Sequence, residues 1–576
     1  MIAEKGHTKT KLFMLLCLLF IEGCGKPSGR GDSTAPADTD HVANASGWSA
    51  TQEDWFRDAE AIDYTYRSGR ESGLYTILES VGGGVAVIDF DNDGDLDLVF
   101  AGGGTIDSVS VTGNPLAAYR NDRNWQFVNV TKQVGLDLPL DYSHGVTVCD
   151  FNRDGWPDLY VTTYGQSKLF LNNNGVFRDV TNECGLDFIG WSTGAVWFDA
   201  NQDSWPDLFV IGYVQWKPES PPCINKVQDV CPPQRYPSAK DRLFINQGGS
   251  RFIEQSDAAG IASGGKGLGV VASDFNGDGF VDLYVANDAV ENQLYYGKGD
   301  GTFQEVGNLA GVAVNAVGAP EGSMGVDFGD VDGDGRGDLW VTNFQFEDNS
   351  LYRNLNNKLF QHSTIAFGLG GTNRTNVGFG TGFVDFDLDG WLDLFVVNGH
   401  VRYLDDHPHR QKGTVYRNVP HSDLTAQTFL GRRFTDATAQ SGEWFSKAHV
   451  GRGAAWGDLD GNGAQDLVVV CQDEPVALLA NLNQPQHWIG LRLVGTLCDP
   501  NAVGSSVEFD HKGRTLTRWV TSGSSYLSQS DTTIHLPVEA DLVAVSVRVK
   551  WIGGTTETFN GLSLNRVHKL VQGQGN

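Results

Sequence analysis

The sequence of 576 residues predicts an all-β protein, a seven-bladed β-propeller followed by a small C-terminal β-domain. Three observations lead to this fold class. An aspartate-rich loop of nine residues recurs seven times, short apolar runs of strand length flank each copy, and two further strand-like motifs follow each copy. Four strands per unit, repeated along one chain, are typical of propellers.

The seven loops carry oxygen-bearing side chains at positions 1, 3, 5 and 9. Ca²⁺ takes six to eight oxygen ligands, so a short loop that binds it must curl and direct alternate side chains inward. Glycine at position 6 permits the bend, and only the third loop departs, with Ser204, which puts metal occupancy of that loop in question. We predict up to seven Ca²⁺ ions, with the position-7 backbone carbonyl as a further ligand. The predicted ligands are Asp89, Asp91, Asp93, Asp95 and Asp97; Asp150, Asn152, Asp154, Trp156 and Asp158; Asp199, Asn201, Asp203 and Asp207; Asp274, Asn276, Asp278, Phe280 and Asp282; Asp330, Asp332, Asp334, Arg336 and Asp338; Asp385, Asp387, Asp389, Trp391 and Asp393; and Asp458, Asp460, Asn462, Ala464 and Asp466.

The residues around the loops predict two buried strands. Position 10 is Leu in every copy and position 11 is apolar, as expected of a strand that leaves the loop into a core. An EF-hand is excluded, because its loop needs Glu at position 12, where this chain has Phe100 or Val. Glycine stands five residues before each loop, and the apolar residues after it predict a strand that enters the loop. These glycines are Gly84, Gly145, Gly194, Gly269, Gly325, Gly380 and Gly453.

Two further motifs complete each unit. One resembles Leu-Tyr-Arg-Asn, as in LYRN at 351–354, and the other resembles Phe-x-Asp-Val-Thr, as in FRDVT from Phe177. The second motif appears six times between the seven loops, and the missing copy is predicted to be FRDAE from Phe56. This N-terminal strand would complete the last blade and close the ring. An open solenoid of the same units is the alternative, but it would leave sheet edges exposed.

The N-terminus reads as an export signal. Lys5, Lys9 and Lys11 precede a ten-residue apolar run, which is too short to span a bilayer. The run ends before Cys24 in a pattern similar to a bacterial lipobox, so residues 1–24 are predicted to be a signal peptide, with lipidation of Cys24 or simple cleavage as alternatives. Residues 25–50 are a flexible polar linker, in which Arg30-Gly31-Asp32 is interpreted as a chance match to an integrin ligand.

The net charge bears on the class of partner, and the cysteine positions bear on disulfide formation. A net charge of −29 argues against nucleic acid as a partner, because phosphate binding needs a basic surface. Cys223 and Cys231 bracket a short segment between proline pairs, and in an exported protein this pattern favours a disulfide. Cys149, Cys184, Cys471 and Cys498 are expected to be small buried residues.

Residues 51–485 resemble the FG-GAP/VCBS repeats of integrin-α-like propellers. Residues 486–573 resemble the ASPIC/UnbV domain, through HWIGLRLVG from His487, NAVGSSV from Asn501, SGSSYLSQS from Ser522 and VRVKWIGG from Val547. The whole chain from about residue 50 is similar to bacterial relatives of cartilage acidic protein. The resemblance implies loops that hold calcium and an exported protein, and it implies no particular activity.

Other constellations are weaker candidates for chemistry. His400, Arg402, His407 and His409 cluster beside Asp405 and Asp406, either as a transition-metal or acid–base site or as a loop on a propeller face. Ser522, Ser524, Ser525 and Tyr526 lack the histidine spacing and elbow of a serine nucleophile. Trp156, Trp205 and Trp391 are expected to pack beside neighbouring blades, with a carbohydrate platform as the alternative.

The sequence therefore favours a non-enzymatic binding, adhesion or scaffold protein of the cell surface or periplasm. It is expected to be an outer-membrane or cell-surface lipoprotein, or secreted, with an unidentified protein or glycan ligand and no membrane contact beyond a lipid anchor. The alternative is a calcium-dependent lyase or hydrolase of polysaccharide, which should present a polar pocket of perturbed carboxylates away from the loops. A purely structural envelope protein is a third possibility.

Overall fold

The computed structural model describes residues 54–59, 62–220, 229–403, 408–421 and 431–576. The signal peptide, Cys24, the linker, Cys223 and residues 404–407 lie outside the described residues. Within the described part, no helix combines the length and apolarity needed to cross a membrane.

Seven groups of four antiparallel strands make up the described chain ahead of the C-terminal domain, and we number them repeat 1 to repeat 7. Their strands, in order within each repeat, are Val85–Ile88, Asp97–Phe100, Ala117–Asn121 and Phe127–Asn129; Tyr142–Cys149, Asp158–Gly165, Lys168–Asn173 and Val176–Asp179; Gly190–Phe198, Asp207–Gly212, Arg242–Asn246 and Phe252–Glu254; Gly267–Ser273, Asp282–Asn287, Gln293–Gly297 and Phe303–Glu305; Val326–Gly329, Asp338–Val341, Ser350–Asn354 and Phe360–His362; Gly378–Val384, Asp393–Asn398, Thr414–Pro420 and Arg432–Asp436; and Gly451–Gly457, Asp466–Cys471, Ala477–Asn481 and Phe56–Asp58.

The short elements between these strands are few. They are the hairpin of Gly104–Ile106 with Val111–Gly113, the 3-10 turns Arg70–Ser72, Ile77–Ser80, Pro233–Arg235 and Thr438–Gln440, and the single-turn α-helices Gly307–Ala310 and Glu443–Ser446.

The repeats form a closed ring. The first strand of each repeat lies against the first strand of the next, and the first strand of repeat 7 lies against that of repeat 1. The N-terminal strand Phe56–Asp58 pairs with Ala477–Asn481, with Phe56 opposite Asn481, which confirms the predicted completion of the last repeat. The all-β, propeller-type class is confirmed and the open solenoid is excluded. Seven as the number of blades stays a prediction, since repeats 2 and 3 share one eight-stranded sheet through the pairing of Trp191 with Tyr164.

The residues that repeat in the sequence have clear structural reasons. The leucine at loop position 10 is fully buried in every repeat, as Leu98 and Leu339 show. The glycine before each loop lies where first strands of adjacent repeats meet. A Cβ on Gly325 would lie 2.0 Å from the carbonyl oxygen of Phe379 in the next repeat, so a larger residue would separate the two strands.

The C-terminal domain consists of two small sheets around one core. One sheet places Trp488–Val494 between Ile534–Pro537 and the parallel strand Val567–Val571. The other has the strand order Arg514–Trp519, Ser506–His511, Ala544–Lys550 and Thr556–Ser563. Ile489, Leu491, Val549 and Trp551 are fully buried between the sheets.

The cysteine predictions are borne out where the structure describes them. Cys149, Cys184, Cys471 and Cys498 are free and buried, which confirms their role as small core residues. Cys231 is disulfide-bonded, and its predicted pairing with Cys223 stays a prediction.

Candidate metal loops, central plug and cavity

The acidic loops curl around the side-chain oxygens of their first residues. In the first loop, Asp89 Oδ1 accepts the amide of Asp93 at 3.1 Å, and Asp89 Oδ2 accepts the amide of Gly94 at 3.2 Å. The same pair of bonds recurs at Asp150, Asp199, Asp274, Asp330, Asp385 and Asp458. The position-6 glycines have φ values near +90°, a conformation that glycine adopts without strain. Ser204 takes the same conformation with φ at 73°, and its amide donates to Asp199, so the third loop keeps the geometry of the others.

Carboxylates converge in these loops. In loops 1, 5, 6 and 7, oxygens of three acidic residues lie within 4.8 Å of one another. These groups are Asp89, Asp91 and Asp97; Asp330, Asp332 and Asp338; Asp385, Asp387 and Asp389; and Asp458, Asp460 and Asp466. Loops 2, 3 and 4 have Asn at position 3, whose Nδ2 donates to the position-5 aspartate, as Asn152 does to Asp154 at 2.8 Å.

The position-9 aspartate joins each loop to the third strand of its repeat. Asp97 Oδ2 accepts the amide of Phe90 at 3.2 Å, and its Oδ1 accepts the amide of Asn121 at 2.8 Å. Burial raises the pKa of Asp97 to about 8, and neighbouring Asp91 and Asp89 add to the increase while the two amides oppose it. Equivalent bonds are made by Asp158, Asp207, Asp282, Asp338 and Asp466, while Asp393 keeps the bond to the third strand.

An asparagine at the end of the third strand joins neighbouring repeats. Asn172 Nδ2 donates to the carbonyl of Pro157 in its own loop at 3.0 Å and to the carbonyl of Phe90 in the preceding loop at 2.8 Å. Asn246, Asn354, Asn418 and Asn481 make the same two bonds, and Asn121 reaches Leu459 of repeat 7. Repeat 4 has Gly297 instead, and there the amide of Gly301 donates to Ala200. We call this contact the asparagine latch; the sequence shows the recurrent Asn, but not its partners.

Arginine side chains pair with carboxylates in three of the loops, Arg123 with Asp95 in loop 1 and further arginines in loops 5 and 6. Arg353 pairs with Asp332 and, at 2.8 Å, with Asp334, and Arg336 also pairs with Asp334. In loop 6, Arg417 pairs with Asp387. Loops 5 and 6 therefore carry a cation on the outer oxygens of their carboxylates, which lowers the negative charge that faces a metal ion.

The C-terminal domain inserts a segment into the centre of the ring. Residues Ser522–Ser530, which we call the central plug, are buried throughout and hydrogen-bond to the first strand of every described repeat. The contacts include Gln529 with Val85, Leu527 with Val146, Ser522 with Trp197, Ser524 with Val270, Ser525 with Val326, Thr381 and Ala454, and Ser530 with Trp456. The serines considered as nucleophiles are thus part of a structural contact. The resemblance to the ASPIC/UnbV domain contained this segment, but no sequence pattern indicated where it lies.

The same domain covers the face of the ring that bears the acidic loops. Arg518 donates to Gly390, His535 meets the carbonyl of Gly463, and Gly553 donates to Gly279, all within loops. Trp391 lies between the guanidinium groups of Arg432 and Arg514, at 3.9 and 3.6 Å from the ring centre. A Cβ on Gly333 of the preceding loop would lie 3.0 Å from Trp391, so packing beside a neighbouring repeat is confirmed for this residue.

A cavity of about 310 Å³ lies at the other end of the channel. The acidic loops precede the second strands of the repeats, whereas cavity wall residues such as Tyr213, Asp288 and Phe344 follow them. The loops and the cavity therefore lie at opposite ends of these strands. Tyr526, in the middle of the plug, forms part of the cavity wall.

The histidine cluster predicted as a metal or acid–base site, or as a loop on a propeller face, is partly described. His400 is fully buried, its Nε2 lies 3.1 Å from Gln345 Oε1, and its Nδ1 accepts the amide of Arg402. Burial lowers the pKa of His409 to about 3, with Arg452 and Arg70 adding to the decrease. His407, Asp405 and Asp406 lie outside the described residues. The described part is a packed loop on the face of the ring, as one of the two interpretations expected.

Comparisons with known proteins agree with this organisation. Residues 89–161, 150–210, 274–341 and 330–396 match the FG-GAP-like repeat model, and residues 495–576 match the ASPIC and UnbV model. The chain is 24% identical to cartilage acidic protein 1 of Homo sapiens over 523 residues, which are 85% of this chain and 72% of the relative. The Mus musculus protein is also 24% identical, over 507 residues, covering 82% of this chain and 70% of the relative.

The similar solved structures have lower sequence identity to this chain than these relatives. An Agrocybe aegerita lectin that recognises non-reducing terminal N-acetylglucosamine has a TM-score of 0.37 and 15% identity, covering 58% of this chain and 77% of the lectin. Rhamnogalacturonan lyase YesW has a TM-score of 0.32 and 11% identity, covering 70% of this chain and 71% of the lyase.

Proposed function

We propose that this chain, which contains FG-GAP-like repeats and an ASPIC and UnbV domain and is homologous to cartilage acidic protein 1 over most of its length, is an exported, calcium-stabilised binding or scaffold protein. The observation that carries the proposal is the recurrent loop, in which aspartate and asparagine oxygens gather at the junction between repeats. Metal bound at these junctions would stabilise the contacts between neighbouring repeats, and so the ring.

Calcium is the metal that this donor set fits. The candidate ligands are carboxylate, amide and carbonyl oxygens, and neither imidazole nor thiolate is among them. Hard cations such as Ca²⁺ prefer oxygen ligands. The loops also contain buried oxygens without a hydrogen-bond partner, at Asp91 Oδ1 and Asp393 Oδ2, as expected of atoms directed toward a cation.

Calcium binding is tested by equilibrium dialysis of the metal-free full chain against radioactive Ca²⁺. We expect several ions per chain and the loss of about one ion when Asp385 and Asp387 are both replaced by Asn. The control is Glu183→Gln, an exposed carboxylate that pairs with Arg178 and belongs to none of the loops. Absence of stoichiometric Ca²⁺ binding would contradict the proposal.

The binding role is supported by which face of the ring is covered and which is left open. The C-terminal domain covers the loop face, and the central plug fills the channel, so the opposite face and its cavity are left for a ligand. The expected ligand is a protein or a glycan. Capture with the immobilised chain, in Ca²⁺ and in chelator, tests this: a saturable ligand that is lost in chelator supports the proposal, and no saturable capture in Ca²⁺ contradicts it.

One observation favours a polysaccharide-cleaving enzyme as a second candidate. Burial raises the pKa of Asp288 to about 6 and also raises the pKa of Glu347, and both carboxylates line the cavity. These are perturbed acids away from the acidic loops. New reducing ends after incubation of the full chain with polysaccharide would favour this candidate, provided that Asp288→Asn abolishes them.

Export and lipidation are part of the proposal. The apolar run before Cys24 and the polar linker after it support a lipoprotein on the outer membrane or cell surface, or a secreted protein. Metabolic labelling with palmitate distinguishes the two, because label that is absent from a Cys24→Ser variant identifies a lipoprotein.

A further inference from the structure

The cavity opposite the acidic loops has walls that are mainly apolar. Leu268, Met324, Phe344, Phe379 and Val401 line it, and they come from repeats 4, 5 and 6 or the segments beside their strands. The Tyr526 ring packs edge-on against Phe379, with ring centres 4.9 Å apart. Such walls exclude the hydration shell of an inorganic ion and suit a ligand with an apolar body.

Of the three carboxylates in the cavity wall, Asp229 is paired with Arg402, which leaves Asp288 and Glu347. The Tyr213 hydroxyl donates to Asp288 Oδ2 at 2.6 Å, and the amides of Gly322 and Phe344 donate to Glu347 Oε2 at 2.8 and 3.1 Å. These bonds fix the orientation of both groups. No described residue donates to Asp288 Oδ1 or Glu347 Oε1, so each carboxylate keeps one oxygen for a ligand.

The cations near the cavity are bonded to other groups of its wall, Arg402 to Asp229 and Lys266 to Pro233. Arg402 also lines it, but its Nε donates to both oxygens of Asp229, at 3.0 and 2.8 Å. The Lys266 ammonium, which lies near enough to lower the pKa of Asp288, donates to the carbonyl of Pro233 at 2.8 Å. Asp288 and Glu347 therefore face the cavity as two negative groups without a bonded cation among the described residues.

Tyr526 of the plug contributes its aromatic ring to the cavity wall. The residue is fully buried, and its hydroxyl is enclosed by the protein close to the backbone of Gly82.

From these contacts we propose that the cavity binds an organic cation, an ammonium or guanidinium group carried on an apolar body. The apolar body would lie against Phe344, Phe379 and Met324, and the cationic group would reach the free oxygens of Asp288 and Glu347. The site rests on the binding role proposed above and specifies its ligand class. Because Tyr526 belongs to the C-terminal domain, the site also requires both domains.

Isothermal titration of the calcium-loaded full chain with benzylamine tests the proposal, with benzyl alcohol as the neutral analogue of similar shape. We expect benzylamine to bind at least roughly tenfold more tightly than benzyl alcohol, since only the amine forms charge-assisted hydrogen bonds. Asp288→Asn and Glu347→Gln should each weaken benzylamine binding by roughly fivefold or more and leave benzyl alcohol unchanged. Equal affinity for both probes, or no benzylamine binding up to about 10 mM, overturns the proposal.

Controls separate failure of the site from failure of the fold. Asn and Gln keep the acceptor oxygens that Tyr213, Gly322 and Phe344 use, so both variants should unfold at nearly the wild-type urea concentration. Glu183→Gln changes the net charge equally and should bind benzylamine as the wild type does. Calcium stoichiometry is measured on the same samples: normal Ca²⁺ binding without benzylamine binding rejects the cation site and leaves the proposed function intact.

Discussion

Replacing Asn121 by Ala should destabilise the ring at its closing junction. Asn121 is 1% exposed, and its Nδ2 donates to Leu96 at 3.1 Å and to Leu459 at 2.8 Å, so that repeat 1 is bonded to repeat 7. The substitution removes these two bonds and also the bond in which Asn121 Oδ1 accepts the amide of Arg123 at 3.0 Å. At about 1–1.5 kcal/mol for each bond, the loss in the free energy of unfolding should be about 3–4.5 kcal/mol.

Asn121→Asp is the sharper variant, because it keeps the shape of the side chain. It places a carboxylate against two carbonyl oxygens in a buried site, where an unpaired charge costs about 3–5 kcal/mol. Urea unfolding of the calcium-loaded chain, followed by tryptophan fluorescence, measures both variants. The matched control is Asn129→Asp in the adjacent strand, an exposed residue whose side chain only accepts bonds from Thr131, and it should change stability by less than about 0.5 kcal/mol.

Asn354→Ala provides the comparison within the ring. Asn354 makes the same two bonds between repeats 4 and 5, each at 3.2 Å. If closure of the ring depends on the asparagine latch, Asn121→Ala should cost at least as much as Asn354→Ala. A cost below about 0.5 kcal/mol for Asn121→Ala would refute the reasoning.

Three further predictions follow from the loops, the plug and the cavity. Chelation of Ca²⁺ should lower the free energy of unfolding by about 1.4 kcal/mol for each site filled at ten times its Kd, and so lower the urea midpoint; an unchanged midpoint in EDTA would count against structural calcium. Ser525→Ala should cost about 2–3 kcal/mol in urea unfolding, because the hydroxyl bonds to both Ala454 and Thr381, whereas Tyr526→Phe should cost less than about 0.5 kcal/mol since its hydroxyl has no partner. Benzylamine affinity should fall between pH 7.5 and pH 5, because burial raises the pKa of Asp288 to about 6 and the carboxylate becomes neutral below that value; affinity that is constant over this range in titration calorimetry would contradict the role of Asp288.

Much of the fold could be predicted because the relevant interactions are local and repeat. A leucine after each loop and a glycine before it defined two strands, and both positions are buried as their chemistry requires. The strand from Phe56 was predicted to close the ring by counting motifs, and it pairs as expected. The spacing alone predicted the loop ligands, and both that ligand set and its occupancy by Ca²⁺ stay predictions.

The partners of these residues could not be predicted in the same way. The recurrent Asn of the third strand was visible as a motif, but its acceptors lie in the preceding repeat, at a sequence separation of 338 residues for Asn121 and Leu459. The structural role of the plug serines could not be read from the sequence, because the partners of the plug come from all seven repeats. No periodicity in the sequence records such contacts.

The sequence by itself determined the repeat, the acidic loops, the strand positions and the presence of a second domain, because each depends on residues close together in the chain. Only the tertiary structure decided that the C-terminal domain covers the loop face, fills the channel with Ser522–Ser530 and supplies Tyr526 to a cavity on the far face. Those features depend on the closed ring, which brings the first strands of all repeats around one central channel. A single buried segment in that channel can then bond to every first strand.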